Sequence, residues 1–308
     1  MDGTKIDWAD ATWNPVTGCL HRCSYCYARK IAQRYGKQKN ETLCTKDGQP
    51  YKWGFHYTTD EHNGQKVYTL LERAYATHYD CEKFEEIRRP CPYPFGFAPT
   101  FHRYRMDEYT RKNKKRDIFV CSMADLFGEW VPEEWKVQAI KACREAPQHR
   151  YLFLTKNPNG VPSAIFWGEA TEVWWPDNMW FGTTVGTQAD LADKVKELIN
   201  ISGNIFLSIE PIHGPINLIT VDRGDLIIHP LTGEAFWLGG GTKGLNRVKW
   251  VIVGAETGNR KDKVIPEREW IMSIKRQCAE AGVSLWMKES LRELMGQDFC
   301  QDKPWWNG

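Results

Sequence analysis

From residue 117 onward the chain alternates short apolar runs with amphipathic stretches. Six runs stand out: 118–121 (Ile-Phe-Val-Cys), 151–154 (Tyr-Leu-Phe-Leu), 179–181 (Met-Trp-Phe), 205–209 (Ile-Phe-Leu-Ser-Ile), 250–253 (Trp-Val-Ile-Val) and 283–287 (Val-Ser-Leu-Trp-Met). Each is too short for a helix and rich in β-branched or aromatic residues, so buried strands are expected. Between them, Trp135, Ala139, Ile140 and Cys143 share one helical face, with Pro132 suited to the first turn. Leu191, Val195, Leu198 and Ile199 repeat the spacing, as do Trp270, Ile274 and Cys278 in a helix expected to stop near Gly282. Strands separated by helical crossovers predict an α/β fold with a parallel sheet, closed into a partial or full (βα) barrel rather than an open nucleotide-binding sheet.

Residues 37–116 break this rhythm with mixed Gly, Pro, Tyr and charge, and only the segment from Val67 to Tyr79 reads as helical. The expectation is one domain over residues 1–308, interrupted by an insertion after the first βα unit. The insertion ends in a basic stretch, Arg103, Arg105, Arg111, Lys112, Lys114, Lys115 and Arg116 against Asp107 and Glu108, which is either a solvated loop or a local patch for an anion.

Composition narrows the function classes. Lys and Arg total 41 against 39 Asp and Glu, a net +2, so no global field grips a polyanion and any nucleic-acid contact must be local. No stretch reaches 18 apolar residues, and the first ten residues show no export signal, so the expected location is the cytoplasm, with no membrane partner. Ten cysteines in such a chain suggest reduced thiols and a metal rather than disulfides. Fifteen Trp, including Trp174-Trp175 and Trp305-Trp306, read first as core and second as a stacking platform or partner surface.

The chemistry concentrates in Thr17-Gly-Cys19-Leu-His-Arg-Cys23-Ser-Tyr-Cys26, a C-x-x-x-C-x-x-C triplet with Tyr25 just before the last cysteine. Three thiolates from one loop would leave one iron of a 4Fe–4S cluster open to a small molecule. Zinc is the structural alternative, since Cys23 and Cys26 form a C-x-x-C knuckle that His21 or a distant Cys could complete. No second knuckle accompanies it, because the other cysteines stand singly, and Cys121, Cys143 and Cys278 fall on expected core faces.

This triplet resembles the signature of the radical S-adenosylmethionine superfamily. The resemblance implies a barrel of that family's type, a 4Fe–4S cluster on Cys19, Cys23 and Cys26, and S-adenosylmethionine bound at the open iron. It also implies an external electron donor such as flavodoxin or ferredoxin, and a 5′-deoxyadenosyl radical that takes hydrogen from a substrate. Asp10 to Cys19, Ser122 to Phe127, Leu154-Thr-Lys156, Leu207 to Pro211 and Val251 to Glu256 are similar to the successive blocks of an uncharacterised phage-associated subfamily. A more distant similarity is to the spore photoproduct lyases.

Polar residues close each expected strand: Ser122 and Asp125, Thr155 and Lys156, Thr183 and Thr184, Glu210, Glu256, and Lys288 with Glu289. In a βα barrel these would meet at one mouth. On the resemblance, Ser122 and Asp125 would take the methionine ammonium, although the superfamily's common Gly-Gly-Glu is missing there. Lys156 would take the carboxylate and Glu210 the ribose or methionine, with Tyr25 and Thr184 completing the cofactor set. Glu256 and Lys288 are the candidate catalytic residues, binding substrate or moving a proton. Gly239-Gly-Gly241 and the Gly254 to Gly258 stretch match no phosphate-loop fingerprint. The expected substrate is a nucleotide or nucleic acid, with a peptide or small metabolite as the rival; a zinc-stapled, non-catalytic binding protein is the alternative of another class.

Overall fold

The computed structural model describes residues 4–51, 56–161, 175–257 and 260–306. Trp174 and Gly258 lie outside the described residues. The chain divides into two compact units, Ala11–His149 and Asp2–Asp10 with Arg150–Gly308.

The first unit runs β1 (Ala11–Trp13), β2 (Val16–Thr17), α1 (Tyr27–Tyr35), β3 (Thr42–Cys44), β4 (Tyr57–His62), β5 (Gln65–Leu70), β6 (Tyr75–Asp80), β7 (Glu85–Pro90), β8 (Thr100–His102), β9 (Asp117–Val120) and α2 (Glu133–Arg144). β1 and β9 pair in parallel, Ala11 opposite Ile118 and Trp13 opposite Val120. The residues between them form two small sheets, in the orders β2-β8-β5-β4 and β3-β6-β7.

The helix expected over Val67–Tyr79 is therefore corrected to β5 and β6. Val67, Leu70 and Ala74 are buried at helix-like spacing, but the chain bends after Leu70, so the three belong to a strand and the turn leaving it. The missed signal was Asn63-Gly64. Both residues are left-handed (φ 49° and 70°), the requirement of a tight hairpin turn, and they join β4 to β5 in full antiparallel register from Tyr57–Leu70 to His62–Gln65.

The second unit runs β10 (Arg150–Thr155), β11 (Met179–Val185), α3 (Gln188–Ile199), β12 (Asn204–Ile209), β13 (Val221–Asp222), β14 (Leu226–His229), β15 (Glu234–Trp237), β16 (Thr242–Gly244), β17 (Val248–Val253), α4 (Arg268–Glu280), β18 (Ser284–Met287) and the short α5 (Arg292–Met295). Its five long strands pair in parallel in the order β10-β11-β12-β17-β18. All seven residues of β11 are buried, as expected of a strand covered on both faces. All six apolar runs form strands, and the three expected helices form as α2, α3 and α4, with left-handed Gly282 ending α4.

The (βα) barrel, partial or full, is not what these elements build. β12 leads into an antiparallel sheet, β13-β14-β15-β16, before the chain reaches β17, so no helical crossover joins that neighbouring parallel pair. Within the second unit, among the described residues, the five parallel strands follow one linear order with no pairing that would close it. Antiparallel pairing also dominates the first unit. The physical reason is local: in 221–244, buried Val221, Leu226, Ile228 and Ala235 fall on strands turned at Gly233 and Gly240-Gly241, all three left-handed glycines. Period-two alternation there was too short to register beside the stronger parallel strands.

Aromatic burial closes the second unit. Trp250 is fully buried, its indole N–H donates to Asp302 O at 2.9 Å, and it meets Trp8, Trp180, Trp286 and Trp305 edge to face. No helix among the described residues is long and apolar enough to cross a membrane.

Candidate cysteine loop and strand-end site

The cysteine loop is anchored before it begins. Thr17 is buried and its hydroxyl bonds His102 Nε2 at 2.9 Å. Gly18 follows at φ 88° and donates to Met123 O at 3.0 Å; a Cβ there would lie 2.2 Å from Ala98 O, so only glycine fits. Arg22, left-handed at φ 57°, turns the chain between Cys19 and Cys23. Cys26 N donates to Cys23 O at 3.2 Å, and Cys26 caps α1, its sulfur accepting from Arg29 N at 3.4 Å.

All three thiols are half-buried and free of disulfides. Burial pushes the Cys19 thiol up to about 12, and the nearby charges of Asp125, Cys23 and Cys26 push in the same direction. The three sulfurs therefore share one electrostatic neighbourhood. Among the described residues, however, no group of three or more His, Cys, Asp or Glu side chains is gathered tightly enough to hold a metal ion. The donors have the chemistry an iron–sulfur cluster needs; their side chains are not drawn together around one.

The loop after β9 braces the cysteines. His21 Nε2 bonds Asp125 Oδ2 at 2.7 Å, and its ring meets Trp130 edge to face at 4.8 Å. Asp125 Oδ1 accepts from Phe127 N at 3.1 Å, so both carboxylate oxygens are engaged. Ser122 Oγ donates to Asn14 Oδ1 at 3.1 Å, while Tyr27 OH donates to Ser122 O at 2.7 Å. Cys121, left-handed at φ 58°, turns the chain out of β9 into this loop. Tyr25 is half-buried within the Cys23–Cys26 turn. Asn14, Tyr27 and Trp130 escaped sequence reasoning, because their part depends on chain crossings about a hundred residues apart.

In the second unit the remaining candidates lie at or just beyond the carboxyl ends of parallel strands, where open α/β sheets bind ligands. Glu210 after β12 and Lys288 after β18 meet directly, Nζ to Oε1 2.6 Å. Lys288 N donates to Val253 O at 2.9 Å, which sets that side chain beside the end of β17. Glu256 instead takes a two-pronged bond from Arg260, at 2.8 and 2.7 Å, and that guanidinium holds its carboxyl below the usual carboxylate range. An ionised, paired Glu256 is a weak proton acceptor, so it suits binding better than base catalysis.

Lys156 and Thr184 fall in a neighbouring group. Lys194 Nζ donates to Thr184 O at 2.9 Å and pairs with Asp190 at 3.4 Å, and Lys156 acts on Asp190 by its charge. Asp7 and Ser290 were not foreseen. Asp7 Oδ2 accepts from Glu289 N at 2.9 Å, and Ser290 Oγ accepts from Ala255 N at 3.1 Å, so they shape the backbone on either side of the Glu210–Lys288 pair.

A family model described as "Protein of unknown function (DUF5131)" matches residues 3–293, and the chain belongs to that family. No curated protein and no solved structure matches the chain significantly.

Proposed function

We propose that this chain is a radical S-adenosylmethionine enzyme whose 4Fe–4S cluster would be held by Cys19, Cys23 and Cys26. The observation that carries the reading is the shared setting of the three thiols. They lie on one turn, half-buried, close enough for the charges of Cys23 and Cys26 to act on Cys19, with Cys26 at a helix N-terminus. Held on Cys19, Cys23 and Cys26, such a group would supply one-electron reduction of the sulfonium of S-adenosylmethionine, the electron coming from a donor of the flavodoxin or ferredoxin kind, and the carbon–sulfur cleavage would yield methionine and a 5′-deoxyadenosyl radical able to take a hydrogen atom from substrate.

The chain's own residues orient and shield. His21 and Tyr27 tie the cysteine turn to the 121–125 loop, and Asp125 acts through His21 rather than directly on an ammonium group. Ser122 still has an oxygen able to accept. In the second unit, Glu210 and Lys288 offer one acceptor and one donor to a polar ligand on the strand ends, and Lys156, Thr184 and Glu256 stand at or beyond the ends of other strands of the same sheet. We assign the substrate to the nucleotide or nucleic-acid class; a peptide or small metabolite is the rival, and steep loss of affinity with added salt separates the two.

Anaerobic reconstitution tests the reading. About four irons and four sulfides per chain, with broad visible absorbance, are expected for the native protein. Cys19→Ala, Cys23→Ala and Cys26→Ala should each lose most of that iron, while Cys143→Ala, in the core, should keep it. Colourless protein carrying one zinc per chain would overturn it.

A further inference from the structure

The first unit contains a cavity of about 360 Å³, away from every residue assigned above except Asn14, in the size range of small-molecule sites. Its lining includes Asn14, Arg73, Tyr104, Arg105, Asp107 and Glu108. Arg105 is half-buried and fixed: Nη1 donates to Asn14 O at 2.7 Å and the guanidinium lies 5.5 Å from the Tyr104 ring centre. Among the described residues its Nε and Nη2 meet no acceptor, and the Arg73 guanidinium meets neither an acceptor nor a carboxylate. Two guanidinium groups with unspent donors in the lining of one cavity suit a tetrahedral oxyanion.

The carboxylates define the rest of the ligand. Asp107 is partly neutralised by Arg111 at 3.5 Å, and Glu108 adds a second negative group. They oppose a chain of phosphates and accept hydrogen bonds from hydroxyls. We propose that this cavity binds a sugar phosphate monoester of nucleoside-monophosphate size, its phosphate on Arg73 and Arg105 and its hydroxyls toward Asp107 and Glu108. Of the seven cations in the basic stretch 103–116, only Arg105 lines this cavity. The site shares only Asn14 with the bracing of the cysteine loop, includes none of its thiols, and is tested in protein without any cluster.

Calorimetry on the full chain, titrated with AMP, adenosine, ATP and inorganic phosphate, provides the test. Saturable AMP binding is expected, with ATP weaker, phosphate alone weaker and adenosine not binding. Arg73→Gln, at an exposed side chain, should weaken AMP about tenfold or more with an unchanged melting temperature, because one charge-assisted fork is lost. The proposal is overturned if AMP shows no saturable binding, if adenosine or phosphate alone binds as well as AMP, or if Arg73→Gln binds AMP like the native chain.

Discussion

Lys288 and Glu210, 78 residues apart, meet at 2.6 Å across Gly254, and the pairing exists because position 254 carries no side chain. A Cβ on Gly254 would stand 2.8 Å from Lys288 Cδ and 3.3 Å from Glu210 Oε1. Gly254 N donates to Ile209 O at 3.0 Å, so the backbone of β17's exit is held close to the end of β12 and has little room to retreat. Gly254→Ala should therefore push the lysine aside and break the pair while costing no more than about 1 kcal/mol in global stability. Lysine acylation mapped by mass spectrometry reads this out: Lys288 should label several-fold faster in the variant, and equal labelling would show that the ion pair does not protect it.

His21 holds the cysteine turn through a carboxylate almost closed to solvent, with the Asp125 side chain 6% exposed. Removing His21 leaves one buried carboxylate oxygen without its donor, at a cost of about 1–3 kcal/mol. His21→Ala should lower the urea midpoint accordingly and should retain less iron after reconstitution than the native chain. His21→Gln, which can still donate to Asp125, is expected to recover part of both losses, whereas identical behaviour of the two variants would mean that the bond does not brace the loop.

A second ion pair predicts the acid limb of the first unit's stability. Burial raises the Glu41 carboxyl, but the two-pronged bond from Arg89, at 2.7 and 2.6 Å, and a backbone N–H from Gln38 outweigh it and leave it below 4.5. The unfolded chain then takes up the proton first, so the pair's contribution is fully present above pH 4.5 and is lost as pH falls through the lower folded value. Glu41→Gln should reduce stability near neutrality and show a shallower acid decline than the native chain. Parallel pH profiles of the two in urea unfolding would exclude this linkage.

What was legible in the sequence follows from how each signal is stored. The parallel strands could be read because full burial on both faces writes continuous apolar runs such as Tyr151-Leu152-Phe153 and Ile205-Phe206-Leu207 into the chain. The small antiparallel sheets could not, since β4 and β7 are almost entirely exposed and carry little apolar pattern. The barrel expectation failed because local period reveals that a strand exists and leaves the path to the next one open.

The cysteine triplet drew attention in the sequence because its three thiols sit within eight residues, and Glu210 and Lys288 because each follows a clear strand. That they pair with each other was not legible, nor was the part played by His21 and Asp125 as mutual partners. The Trp content read as core is largely that: Trp250 is buried, while Trp306 remains 55% exposed beside Lys303, whose ammonium lies 5.5 Å from its ring centre.

The most direct test of the account is a reductive turnover under strict anaerobiosis: reconstituted protein, S-adenosylmethionine and dithionite, with the products separated by chromatography. Formation of 5′-deoxyadenosine by the native chain, and its loss in Cys19→Ala, Cys23→Ala and Cys26→Ala, is the predicted result. Iron-loaded native protein that leaves S-adenosylmethionine intact would contradict it.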